Sequence, residues 1–214
     1  MILTNVKKMT KIIGITGSIG MGKSTISSML TKLGIPVFDS DKQVSKTLEN
    51  NRKIITKIGL KWPHAVINNG RDISINRKVL GDIVFSNLSD KIFLENLIHP
   101  IVHQERDLFI QENNRNSLIA LDVPLLFETK LHKICDFIFL ANAKSDIQMS
   151  RVLKRKNMTH QKFDLIKKNQ LSNEERKKLS SNIFVVSTNY GKLVSFIIVL
   201  AYLFKILFFT KKGD

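Results

Sequence analysis

The chain has one cysteine, Cys135, in 214 residues. A lone thiol closes no intramolecular disulfide and supplies no zinc cluster, so a disulfide scaffold and a structural zinc module are excluded and a reducing compartment is expected. Tyrosine and tryptophan are scarce as well: 2 Tyr and 1 Trp stand beside 13 Phe, and the phenylalanines fall mostly within apolar runs. So few aromatic platforms argue against a protein that stacks nucleic-acid bases. Acids are the third shortage, with 18 Asp+Glu against 34 Lys+Arg. The resulting charge of +16 suits a polyanionic ligand such as a nucleotide. Lysines, however, outnumber arginines 26 to 8, and Ile and Asn are also abundant. That is a compositional drift, not a patch built for nucleic acid. Repeats and low-complexity segments are missing. Residues 1–8 carry no apolar h-region and are expected to be an extension, not a secretory signal, with Met9 an alternative start.

What remains is ample for a globular fold. Apolar side chains fill 43% of positions, too many for a disordered chain, and the length suits one domain with an inserted subdomain. Residues 11–16 (KIIGIT) read as a buried strand. After a glycine-rich loop, Ile26, Met29, Leu30 and Leu33 recur at helical spacing and Gly34 supplies a stop. Residues 35–38 form a second short strand ending at Asp39. A strand–loop–helix–strand opening implies a parallel sheet with helical crossovers. Residues 41 to about 114 read as mostly helical, with a turn at Asn69-Gly70, a helix over 77–85, another over 90–99 capped by Ser89, and a further one starting at Pro100. Strands return at 117–121 and 137–140. A helix over 144–156 and a basic helical stretch follow, then a last strand at 183–186.

Gly17, Gly22, Lys23 and Ser24 satisfy G-x-x-x-x-G-K-[ST] between a strand and a helix. The glycines let the backbone approach an anion, and the loop amides and helix N-terminus face it. In this motif the lysine, here Lys23, is expected to neutralise β/γ-phosphates, and the Ser24 hydroxyl to ligate Mg²⁺. No N-K-x-D guanine-reading signature occurs, which weakens a GTPase reading. Asp122 follows a hydrophobic strand as a second magnesium-site acid, but Val123 and not Glu comes next, which weakens a hydrolytic machine. Asp39 and Asp41 follow the second strand, where open α/β sheets bind ligands and where a carboxylate can take a proton from an attacking hydroxyl.

These segments resemble the dephospho-CoA kinase family. GITGSIGMGKST, GIPVFDSD, LIHP at 97–100, DVPLLFE at 122–128, RVLKRKNMT at 151–159 and the stretch 170–178 follow that family's order and spacing over roughly residues 9–191. The resemblance implies a P-loop α/β fold, a parallel sheet flanked by helices, with the nucleotide-binding core at 9–40, 116–150 and 181–214. It implies transfer of the ATP γ-phosphoryl group to the ribose 3′-hydroxyl of dephospho-CoA, the last step of coenzyme A synthesis, in the cytoplasm with Mg²⁺. Gly17, Gly20, Met21, Gly22, Lys23, Ser24 and Thr25 would bind ATP, and Ser24 and Asp122 the metal. Asp41 would be the general base with Asp39 beside it. The helical region 41–115, including Arg77, His99 and Pro100, would bind the acceptor, and the basic stretch 151–180 would be a mobile lid.

That stretch agrees on its own terms. Residues 151–178 hold ten basic residues against three acids, and Arg151 and Arg155, four apart, share one face of the expected helix. Two guanidinium groups there would clamp transferring phosphates as the site closes. Two rivals stand: another nucleotide or small-molecule kinase on the same fold, and an ATPase bound to nucleic acid. The chain also departs from the family. Ser181 and Asn182 replace an Ala-Asp pair, which leaves the adenine pocket undefined. Residues 193–209 (LVSFIIVLAYLFKILFF) form a nearly continuous apolar run broken by Lys205 and followed by Lys211 and Lys212. This tail is either a helix packed on the fold or a weak membrane contact. The oligomeric state is not legible.

Overall fold

The computed structural model describes residues 10–70, 72–156 and 158–208. In chain order the elements are β1 (Lys11–Thr16), α1 (Lys23–Lys32), β2 (Val37–Asp39), α2 (Ser40–Asn50), α3 (Arg52–Lys61), β3 (Val66–Asn68), β4 (Ile73–Ile75), α4 (Arg77–Ser86), α5 (Leu88–Glu112), β5 (Leu118–Asp122), β6 (Phe137–Asn142), α6 (Ser145–Leu153), α7 (His160–Lys168), α8 (Asn173–Leu179), β7 (Ile183–Ser187) and α9 (Gly191–Phe208). They divide into two compact units, one of the chain up to Phe38 and from Asn113 onward, the other Asp39–Glu112.

The first unit is built on a five-stranded sheet of order β2-β5-β1-β6-β7. Strand β1 pairs in parallel with β5, Ile15 opposite Asp122, and with β6, Thr16 opposite Leu140. Strand β6 pairs in parallel with β7. The central strands are apolar almost throughout because both their faces are buried; Ile13, Ile15, Ile119, Leu121 and Phe139 are fully buried. Helix α1 buries Ile26, Met29 and Leu30, one stripe at helical spacing. Helix α9 buries Ser195, Val199, Leu203 and Ile206, and it is held by its side-chain bonds: Tyr202 donates to the Val185 carbonyl (3.1 Å), Ser195 to that of Ser187 (3.0 Å), and Lys11 to that of Ile206 (2.9 Å). The tail is therefore a packed helix along its inner face.

The second unit has its own core of Ile54, Ile58, Trp62, Ala65 and Leu80. Trp62 meets Phe93 edge to face at 5.5 Å, and the Lys61 ammonium lies 4.1 Å from the Phe93 ring centre. Three expectations are corrected here. The turn expected at Asn69-Gly70 is present, but its flanks are the strands of a hairpin, β3 against β4, and not helix. Helix α5 runs 25 residues straight through Pro100, where two helices were expected. Proline removes one donor, but Leu97 and Ile101 on either side pack against this core, and Ile98 and Val102 are buried. Its first turn is served by Asn87, not Ser89: the Asn87 side-chain oxygen accepts from the Ser89 amide (2.9 Å) and hydroxyl (2.8 Å).

Candidate active site

Strand β1 ends at Thr16, whose hydroxyl donates to the Pro124 carbonyl at 3.0 Å, and the chain turns through residues 17–22 before α1 begins at Lys23. Gly20 and Gly22 stand at φ +78° and +97°, a conformation open to glycine but strained for other residues. The space is closed as well. A Cβ on Gly20 would sit 2.9 Å from the Gln148 carbonyl oxygen, and one on Gly22 would sit 2.8 Å from the Thr188 methyl. The helical ladder starts with Thr25 and Ile26 donating to the Gly22 carbonyl (3.0 and 3.3 Å), so the Lys23 and Ser24 amides have no acceptor within the helix. No acid occupies the first turn and no side chain caps it. The positive end of α1 is left for an anion.

Asp122, at the carboxyl end of β5, is the buried acid of this edge. Its carboxylate receives the Lys23 ammonium at 2.5 Å on one oxygen, and the Ser27 hydroxyl donates to the other. Its side chain is 2% exposed, so lysine and serine together offset the desolvation of its charge. Ser24, one residue on from Lys23, is exposed. Among the described residues no cluster of three or more His, Cys, Asp and Glu is placed to hold a metal.

The loop is fastened from behind by side chains the sequence reading did not single out. Gln148 donates to the Ile19 carbonyl (2.7 Å), and the Gln170 side-chain oxygen accepts from the Ile19 amide (3.0 Å). Arg176, completely buried, donates to the Ser18 hydroxyl (2.8 Å) and lies 3.4 Å from Glu128. Burial pushes its guanidinium below the ordinary value, and Glu128 opposes that shift. Glu128 also accepts from the Leu171 amide at 3.0 Å. Thr188 donates to the Met21 carbonyl (2.8 Å). Glu128, Gln170 and Arg176 lie in segments that carry the family resemblance, yet nothing local marks their partners.

Of the expected site residues, Gly17, Gly20, Met21, Gly22, Lys23, Ser24, Thr25 and Asp122 gather at this edge. The Met21 sulfur accepts from the Ala143 amide at 3.1 Å, which ties the loop to the end of β6. Arg151 lies beside the loop, donating to the Thr188 carbonyl (2.6 Å) and hydroxyl (2.8 Å) and, at 3.4 Å, to the Gly20 carbonyl. Arg155 does not share its helix face. Helix α6 ends at Leu153, three residues short of the expected bound, and Arg155 is exposed in the turn beyond.

The remaining residues belong to the second unit. Asp39 caps α2, accepting from the Lys42 amide at 3.0 Å, and Asp41 is exposed in the first turn. Arg77 opens α4 and binds the Ser45 carbonyl (2.7 Å) and the Glu49 carboxylate (2.9 Å). His99 and Pro100 are exposed on α5. The His99 ring stacks on that of His103 at 5.9 Å, and partial burial, Arg106 and His99 lower the His103 pKa from 6.5.

A glycine cradle between the central strand of this sheet and its first helix, with lysine and acid meeting at the adjoining strand end, defines a P-loop nucleotide-binding protein. Solved structures share this fold. The model overlaps a Thermus thermophilus protein with TM-score 0.75 and 28% identity over 95% of this chain and all of the other. It overlaps a Campylobacter jejuni dephospho-CoA kinase with TM-score 0.67 and 24% identity over 92% and 98%, and an Acinetobacter baumannii shikimate kinase with TM-score 0.55 and 16% identity over 96% and 97%. Residues 11–192 match the dephospho-CoA kinase family model. The Paramagnetospirillum magneticum dephospho-CoA kinase is 37% identical over 78% of each chain, and that of Bartonella henselae is 36% identical over 83% of this chain and 89% of its own. The chain belongs to the dephospho-CoA kinase family.

Proposed function

We propose that this chain transfers the γ-phosphoryl group of ATP to the ribose 3′-hydroxyl of dephospho-CoA, giving coenzyme A and ADP. The observation that carries the reading is the meeting of Lys23 and Asp122 behind a glycine cradle, in a chain whose family match runs from β1 to the start of α9. The 3′-oxygen attacks the γ-phosphorus, the bond to the β,γ-bridging oxygen breaks, and the hydroxyl proton passes to the Asp41 carboxylate. Asp39 holds the first turn of α2 through its capping bond and thereby orients Asp41. The Lys23 and Ser24 amides and the Lys23 ammonium receive the phosphate charge. Arg151 steadies the loop through Gly20 and Thr188, while Arg155, on the exposed turn, is the guanidinium left to meet the transferring group.

Mg²⁺ would be held by Ser24 and Asp122, and when bound it would supply charge neutralisation and orientation of the phosphates. Arg77, His99 and Pro100 are assigned to acceptor binding, with residues 41–115 as the acceptor region and 151–180 as the lid. The reaction is placed in the cytoplasm, in keeping with a single cysteine.

A coupled assay with ATP and dephospho-CoA tests the reading: one ADP and one coenzyme A should form per turnover. Phosphorylation of a nucleoside monophosphate or shikimate, with dephospho-CoA left unchanged, would assign the chain to a different acceptor.

A further inference from the structure

Helix α9 is apolar on both sides, and only one side is used by the core. Val199, Leu203 and Ile206 face inward, whereas Leu193 (73% exposed), Ile197 (57%), Phe204 (56%) and Phe208 (70%) face outward. Tyr190, just ahead of the helix, is also exposed. A groove of about 480 Å³ adjoins this face, lined chiefly by Leu33, Ile35, Pro36, Leu200, Phe204 and Leu207. A contiguous apolar patch of this kind on a water-soluble fold marks an interaction surface.

We propose that the outer face of α9 and its groove form a docking surface for an anionic lipid bilayer, on which the enzyme lies peripherally. The charge around the patch selects this occupant. Helix α9 contains no acid, and the groove is lined by none. Exposed Lys32 and Arg115 adjoin the lining residues Leu33 and Asn116 in sequence, and exposed Lys192 stands in the first turn of the helix. Anionic headgroups attract such a rim while the apolar stripe enters the headgroup–acyl boundary, and Tyr190 suits the same depth. A second copy would bring the same cationic rim, without a carboxylate to pair with it, on a molecule already at +16. Threading α9 through the bilayer would strip Val199, Leu203 and Ile206 from the core and break the Lys11, Ser195 and Tyr202 bonds. Length and hydropathy would permit a span; the packing of the inner face argues for a helix lying in the interface.

The test uses the full chain with phosphatidylcholine vesicles containing about a third phosphatidylserine, against vesicles of phosphatidylcholine alone. Sedimentation with the anionic vesicles should weaken as salt rises, and the double variant Ile197→Asp/Phe204→Asp should bind at least about tenfold less while keeping kinase turnover. Lys32→Glu/Arg115→Glu leaves the apolar face intact and should lose anionic-vesicle binding with unchanged circular dichroism. No sedimentation with either vesicle overturns the proposal. So does salt-independent binding to both, and so does a dimer in sedimentation velocity that the Ile197→Asp/Phe204→Asp variant dissolves.

Discussion

Asp122 is gripped from two sides, by Lys23 and by Ser27, and each grip has its own consequence. Lys23→Met removes the cation that meets the phosphates and leaves a buried carboxylate with one fewer partner. Turnover with ATP and dephospho-CoA should fall about 10²–10³-fold, and a thermal melt should show a destabilised fold as well. Asp41→Asn separates from this: its first-turn site is exposed, so the fold should persist while kcat falls about 10²–10⁴-fold if proton acceptance is needed in the transition state. Near-normal kcat would reassign the proton to solvent or to another carboxylate. Arg176→Met removes the cation from Glu128 and the donor from Ser18. A loss of about 3–5 kcal/mol is expected in urea unfolding, with Arg176→Lys recovering part of it. The glycines, Lys23, Ser24 and Asp122 were legible because phosphate chemistry fixes residue types at fixed spacing. Ser27 and Arg176 were not, because they meet their partners across 95 and 158 residues, a distance over which no local pattern reports.

Among the elements, α8 is closed by a capping box in which Glu175 and Ser172 satisfy each other's backbone amides. The hydrogen bonds from the Ser172 side chain and backbone, which favour the charged form, lower the Glu175 pKa from 4.5. A carboxylate depressed in this way contributes stability above its ordinary pKa and loses it as pH falls through the depressed value. Protection of the amides at the start of α8, taken as the exchange rate relative to the intrinsic rate at each pH, should therefore weaken on acidification below about pH 4.5, and Glu175→Gln should remove most of that pH dependence. In α5 the expected break at Pro100 did not occur, because buried flanking residues outweighed the missing donor. Pro100→Ala should accordingly raise stability by about 2 kcal/mol, the helix-interior penalty of proline less its stiffening of the unfolded chain; a lowered melting temperature would show that the native helix depends on the ring. The β3–β4 hairpin escaped sequence reading for a different reason. Its strands are three residues long, too short for alternation to stand out from the helical spacing around it. Strands β1, β5 and β6 were legible because burial on both faces leaves an uninterrupted apolar run.

At the level of the whole molecule, two cores hold two units, and the only tryptophan of the chain, Trp62, is buried in the core of the second. Indole emission thus reports on that unit alone, while far-ultraviolet circular dichroism reports on both. The sheet unit carries the cradle, so saturating ATP should raise its unfolding midpoint by mass action and leave the Trp62 midpoint in place; a matched shift of both signals would show that the units melt together. The sequence already separated a sheet-forming from a helix-rich region through its change of periodicity, but not the side chains that fasten the loop. The chain also has a single thiol, Cys135, half-buried in the sheet unit. One indole on one body and one sulfhydryl on the other amount to a built-in pair of reporters. The native sequence thus gives each unit its own optical label, Trp62 on one and a dye at Cys135 on the other, without a single engineered site.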